Sequence, residues 1–159
     1  MKSFVFDTNI LINLDNYNPE IFPSLWENIY SMIKSGQLFS IKEVEREISK
    51  RDDRIKQKWQ EIDNEYYFFK DLSEMPHSKQ YWDFIPDLDE FTEFQESGEN
   101  KEFWADPYLI AIGKIDNVTV VSGERARNRP ARKIPYVCDK LSINCMDLDE
   151  FMIHNYWRW

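Results

Sequence analysis

Phe4, Val5 and Phe6 open the apolar pattern as a short unbroken run of aromatic and β-branched residues, the mark of a strand covered on both faces. Polar chemistry arrives at its end, in Asp7-Thr8-Asn9, and Ile10, Leu11, Ile12 and Leu14 then predict the start of a helix. Pro23 to Ser35 carries Leu25, Ile29, Met32 and Ile33 on one side and meets Gly36, so a helix with a glycine stop is expected there. Leu38 to Ile41 reads as a second short strand. Beyond it Val44, Ile48, Ile55, Trp59 and Ile62 share one stripe, which predicts a single long helix with a charged outer face. Tyr66 to Trp104 is rich in aromatics and acids, with Pro76 and Pro86 as breaks and short helices expected between them.

Asp106-Pro107 opens a further helix, Tyr108 to Lys114, because aspartate suits a cap and proline a first turn; Asn117 ends it. Val118 to Ser122 is the strongest strand signal in the chain and is closed by Gly123. A basic loop follows from Arg125 to Lys133, then a short helix at Ile134 to Leu141, a last strand at Ile143 to Met146 and a terminal helix at Asp147 to Asn155. Strands alternating with helices predict one α/β domain over residues 1–159. Its sheet should be central and mainly parallel, with four to five strands flanked by helices. The stretch at about 52–104 is expected as a helical, aromatic-rich insertion.

Composition changes this picture in a few places. With 42% hydrophobic residues and only four glycines in 159, the chain can bury a sizeable core. No stretch approaches the ~20 apolar residues needed to span a bilayer, and no basic-then-apolar leader precedes Phe4, so a soluble, cytoplasmic protein without membrane contact is expected. Cys138 and Cys145 match no zinc or redox spacing and are read as buried, reduced thiols. His77 and His154 have no ligand partners at metal spacing, which leaves them surface or packing roles. The formal charge of −9 excludes generalised phosphate-driven binding to nucleic acid, so any polyanion must be met locally. Aromatics at Tyr66 to Phe69 and at Tyr156, Trp157 and Trp159 are expected to complete the core, and those left exposed would form a protein-binding patch.

The acids fall at comparable places in this layout. Asp7 follows the first strand, Glu124 follows the Val118 to Ser122 strand through Gly123, Asp106 starts the helix leading into that strand, and Glu43, Glu45 and Glu47 lie early in the long helix. In an open parallel sheet ligands bind outside the carboxyl ends of the strands. Each acid also has a plain structural role as a cap, a dipole partner or a solvated turn residue. Brought together they would repel, by roughly 4 kcal/mol for a pair ~4 Å apart at an effective dielectric near 20. A cation or a proton must relieve that. Oxygen-only ligands point to a hard ion, magnesium or manganese, rather than zinc.

These pieces resemble the PIN-domain ribonucleases, which include the VapC-like toxins of bacterial toxin-antitoxin pairs. The matching stretches are Phe4-Val5-Phe6-Asp7-Thr8-Asn9, Val44-Glu45-Arg46-Glu47-Ile48, Ala105-Asp106-Pro107-Tyr108-Leu109-Ile110-Ala111 and Val120-Val121-Ser122-Gly123-Glu124. Lys133-Ile134-Pro135-Tyr136-Val137-Cys138 looks like a feature of one poorly characterised PIN-like branch. The resemblance implies a PIN-like fold and an acidic set of Asp7, Glu47, Asp106 and Glu124, with Thr8 or Asn9 and Ser122 as polar helpers. Helical spacing leaves Glu45 and Glu43 open beside Glu47; the family's valine-x-x-glutamate pattern selects Glu47. The last acid is glutamate where many relatives have aspartate, and its extra methylene would suit a contact through metal-bound water.

The function this implies is Mg2+- or Mn2+-dependent endonucleolytic hydrolysis of RNA, leaving 5′-phosphate and 3′-hydroxyl ends. By the same resemblance it implies the toxin of a type II toxin-antitoxin pair, partnered by an antitoxin encoded nearby or by a second copy of the chain. Arg125, Arg127, Arg129, Arg132 and Lys133 form the densest basic stretch in the chain and would grip RNA phosphates beside Glu124, or else form a solvated loop or pair with acids elsewhere. Two other classes stay open. One is a catalytically silent PIN-like module that binds RNA or protein. The other is a phosphohydrolase with Asp7 as nucleophile, although no second aspartate follows two residues later.

Overall fold

β1 (Phe4–Phe6) is the middle strand of a five-stranded sheet and is fully covered on both faces. It pairs in parallel with β2 (Leu38–Ile41), Phe4 opposite Leu38, and with β4 (Thr119–Val121), Val5 opposite Val120 and Phe6 opposite Val121. β3 (Phe69–Lys70) lies outside β2 and β5 (Cys145–Met146) outside β4, which gives the order β3-β2-β1-β4-β5 with every pairing parallel. This is a computed structural model, and it describes residues 2–90, 105–123, 134–155 and 157. A parallel sheet needs cover on both sides, which is why β1, β2 and β4 are apolar runs rather than alternating patterns. Two polar residues interrupt these runs, both fully buried: the Ser40 hydroxyl donates to the Phe6 carbonyl at 2.7 Å, and the Thr119 hydroxyl has no hydrogen-bond partner among the described residues.

The expected α/β class, the parallel sheet and the strand number all agree with this architecture. α1 (Thr8–Leu14) and α2 (Pro23–Lys34) follow the predicted bounds, and Gly36, at φ 83°, lets the amides of Gly36 and Gln37 reach back to Ile33 and Met32. The single long helix is two helices, α3 (Lys42–Arg51) and α4 (Asp53–Tyr66). Asp52 breaks the run: its backbone is extended, and its carboxylate accepts from the amides of Arg54 and Ile55 to cap α4. The apolar stripe survives the break, because Val44, Ile48, Ile55, Trp59 and Ile62 are all buried.

Sequence periodicity missed β3. Tyr67 takes a left-handed backbone conformation that ends α4, and Asp63 accepts from the Phe69 amide at 2.7 Å, so helix and strand meet without a loop. A strand of two residues carries no alternation to read. The described part of the expected helical insertion thus contributes a strand to the sheet as well as α5 (Ser78–Phe84) and 3-10 turns at Leu72–Glu74 and Ile85–Glu90. Aromatic contacts run Trp26 to Trp59 to Phe68 to Phe69 at 5.0–5.9 Å between ring centroids, joining α2, α4 and β3.

α6 (Asp106–Asp116) ends at Asn117, which takes the left-handed conformation. α7 (Ile134–Leu141) precedes β5, and α8 (Leu148–His154) is capped reciprocally by Asp147 and Glu150. Phe151 of α8 lies edge-on to Phe4 and Phe6, and Trp157 packs on Phe151. Tyr156 and Trp159 lie outside the described residues. Phe68 and Phe69 are fully buried as expected, while Tyr67 is exposed. His77 meets Asp116 at 2.5 Å and His154 lies edge-on to Phe4, the surface and packing roles expected of them. No helix among the described residues is long and apolar enough to cross a membrane.

Candidate active site

The strand order builds a crevice before any side chain is considered. From β1 the chain moves outward to β2 and β3, then returns past β1 to β4 and β5. Successive connections therefore leave β1 and β4 in opposite directions, the switch point at which open parallel sheets bind ligands beyond the carboxyl strand ends. Asp7 follows β1 at that point, and Ser122 with Gly123 follows β4. The Asp7 amide donates to the Val121 carbonyl at 3.0 Å, which ties the two strand ends together. α3 starts at the same rim behind β2, and α6, running back before β4, brings its first residue, Asp106, to it.

Asp7 is 3% exposed and caps α1, one carboxylate oxygen accepting from the Ile10 amide at 3.2 Å. The structural role foreseen for an aspartate here is therefore real. Thr8 is buried too, and its hydroxyl donates to Glu47 Oε2 at 2.5 Å. The other oxygen, Glu47 Oε1, accepts from the Ala105 amide at 2.8 Å. One side chain on α3 thus joins the residue after Asp7 to the residue before Asp106, which are far apart in sequence. Glu45 instead meets Lys42 and Glu43 meets Arg46, each one turn away on α3. Glu43 Oε2 is buried without a hydrogen-bond partner among the described residues, and burial pushes that carboxyl above its ordinary range.

Asp106 is the first residue of α6 rather than its cap. The cap position belongs to Ala105, whose side chain cannot bond the helix amides, and Glu47 occupies that residue's own amide from α3. A hydrogen bond to Cys145 and burial push the Cys138 thiol on α7 well above its ordinary range, and the charge of Asp106 adds to them. Both cysteines are free, Cys138 buried and Cys145 half-buried. In the native protein at pH 8, iodoacetamide should label Cys145 and leave Cys138 intact until the chain unfolds. Equal labelling of both, read by peptide mass, would place Cys138 in a different environment.

Gly123 sits where α1 leaves no room. A Cβ there would come within 2.7 Å of the Asn9 Cβ and 3.0 Å of Asn13 Nδ2. Its sequence role as a strand stop hides this close approach. Gly123→Ala is expected to force α1 away from the end of β4 and to cost about 1–3 kcal/mol, as overpacking does. Urea unfolding would read that loss, and an unchanged midpoint would show that the helix can yield.

Asn9 also accepts from Arg51 Nη1 at 3.2 Å. Arg51 was not foreseen as a rim residue, although it lies one turn beyond Glu47 on α3, a spacing that puts both on one face. Ser122 is fully buried, its amide bonded to the Met146 carbonyl. Glu124, Arg125, Arg127, Arg129, Arg132 and Lys133 lie outside the described residues, so the expected fourth acid and basic loop have no described position.

The gathered donors are carboxylate oxygens, the class that suits a hard divalent ion. Among the described residues, however, no three acidic, histidine or cysteine side chains stand close enough together to hold one. Both Glu47 oxygens are turned to Thr8 and Ala105. The donor type fits the expected cation; the described set alone does not close around it.

A family model described as "Domain of unknown function (DUF4411)" matches residues 4–159. No curated protein and no solved structure matches the chain.

Proposed function

The chain belongs to the DUF4411 family, and from the geometry of its rim we propose that it is a PIN-like, metal-dependent endoribonuclease. The observation that carries this reading is the Thr8–Glu47–Ala105 link, which draws the segments bearing Asp7 and Asp106 to the switch point of a parallel sheet. Asp7 and Asp106 would hold a magnesium or manganese ion, with Glu124 completing the set directly or through water. When bound, such an ion supplies a water of lowered pKa and offsets charge on the phosphoryl oxygens. Glu47 holds the α3, α1 and α6 ends in register and adds negative charge to the rim. The nucleophile reading is the weaker one, because the position two residues after Asp7 is Asn9 and not a second aspartate.

The resemblance to VapC-like toxins extends the proposal to a cytoplasmic toxin restrained by an antitoxin encoded nearby, with a second copy of the chain as a further partner. One observation favours a second reading, a PIN-like module that binds RNA or protein without cutting: the described acids do not group as a metal site and Glu47 is spent on structure. Incubation of single-stranded RNA with the protein and Mg2+, with and without EDTA, separates the two. Chelator-sensitive cleavage supports the nuclease; RNA retention without cleavage supports the silent module. Release of phosphate from a small ester in place of either would make the protein a phosphohydrolase. Growth arrest on expression, relieved by the neighbouring gene, would test the toxin assignment.

A further inference from the structure

Arg51 is held at the rim in a way that its charge does not require. It is the last residue of α3, exposed, and its guanidinium donates to the neutral amide oxygen of Asn9. The other two arginines among the described residues meet carboxylates: Arg54 grips Asp15 through two bonds of 2.9 and 2.5 Å, and Arg46 lies 3.7 Å from Glu43. Arg51 has no ion pair among the described residues, in a chain with 29 acidic side chains against 20 basic ones. Even Asp52 beside it turns away to cap α4. A guanidinium has five donors in a rigid fork, and Asn9 takes one of them.

Its placement defines what it faces. Glu47 and Arg51 are one turn apart on α3 and bond successive residues of α1, Thr8 and Asn9, so α3 is fastened to the start of α1 alongside Asp7. Asn9 in turn abuts Gly123 at the end of β4. The helix C-terminus gives a cation some favourable field, but a lysine would satisfy that equally. A planar fork anchored on an amide and turned to solvent beside acids matches a phosphodiester. We propose that Arg51, positioned by Asn9, binds a backbone phosphate of the nucleic acid strand lying across the acidic rim. This rests on the endoribonuclease reading and supplies, on the α3 side of the rim, the kind of local cation that a chain of net charge −9 needs to meet a polyanion.

The test uses the full chain and a fluorescein-labelled single-stranded oligoribonucleotide, with anisotropy measured in EDTA over a salt series and cleavage measured in Mg2+. Arg51→Ala should weaken RNA binding about tenfold and reduce the slope of log affinity against log salt by about 0.7, one phosphate contact on a single strand. KM should rise with little change in kcat. Arg51→Lys keeps the charge and the reach to Asn9 but not the fork, and should recover the salt slope with only part of the affinity. Lys34→Ala removes the same charge from the exposed end of α2, at the opposite rim, and should match the wild type. Wild-type salt slope and KM in Arg51→Ala, with RNA still cleaved by the wild-type protein, overturn the role of Arg51 alone. A wild-type protein that neither binds nor cleaves RNA overturns the endoribonuclease reading and this inference with it.

Discussion

Asp7→Asn should leave the fold intact and reduce Mg2+-dependent RNA cleavage by well over a hundredfold. Asparagine and aspartate cap helices about equally well, so the bond to the Ile10 amide at the start of α1 survives the substitution. The variant exchanges a carboxylate at a position 3% exposed for a neutral amide of about the same size. Losing a group that only supports a metal ligand typically costs about 10- to 100-fold; losing a ligand itself should exceed that range. Thermal unfolding within a degree or two of the wild type, measured on the same preparation, would show that the loss is chemical. An Asp7→Asn protein that cleaves RNA at the wild-type rate would remove Asp7 from the chemistry and leave it a helix cap.

Glu47→Ala and Glu47→Gln should part company, and the difference separates structure from chemistry. Alanine deletes both the acceptor for the Thr8 hydroxyl and the acceptor for the Ala105 amide. Hydrogen bonds to a charged group contribute about 1.5–3 kcal/mol each, so a loss of about 3 kcal/mol is expected, on the order of a 6–12 °C fall in Tm for a chain of this size. Glutamine can still accept from the Ala105 amide and can donate to the Thr8 hydroxyl oxygen, so its cost should stay at about 1 kcal/mol. If the negative charge of Glu47 serves the cation, Glu47→Gln should fold normally and cleave at least about tenfold more slowly. Wild-type cleavage by Glu47→Gln would make Glu47 a brace alone.

Much of this architecture could be read in one dimension because burial in a parallel sheet writes itself as unbroken apolar runs. Phe4 to Phe6, Leu38 to Ile41 and Val118 to Ser122 each contain the strand expected of them. The two misreadings share a cause. Asp52 interrupts a helical stripe without disturbing its periodicity, since α4 restarts at once and keeps the same apolar face toward the core. Phe69 and Lys70 form a strand too short to show a period, and only their pairing with Ser40 and Ile41 makes them one. The acids were legible as residue types near strand ends. The family's valine-x-x-glutamate pattern pointed to Glu47, but helical spacing alone did not, because Glu43 and Glu47 lie about one turn apart on the same side of α3; the contacts of Glu47 with Thr8 and Ala105 separate them.

The order of apolar and polar positions alone therefore determined the α/β class, the parallel strands and the rim at which the acids stand, because hydrophobic burial acts on every residue of an element together. Tertiary structure decided what single contacts decide: that Glu47 bridges Thr8 and Ala105, that Gly123 makes room for Asn9, and that Arg51 meets an amide instead of an acid. Those partners come from separate segments of the chain. Their meeting depends on ångström-scale packing of α1, α3 and α6, which no local pattern encodes.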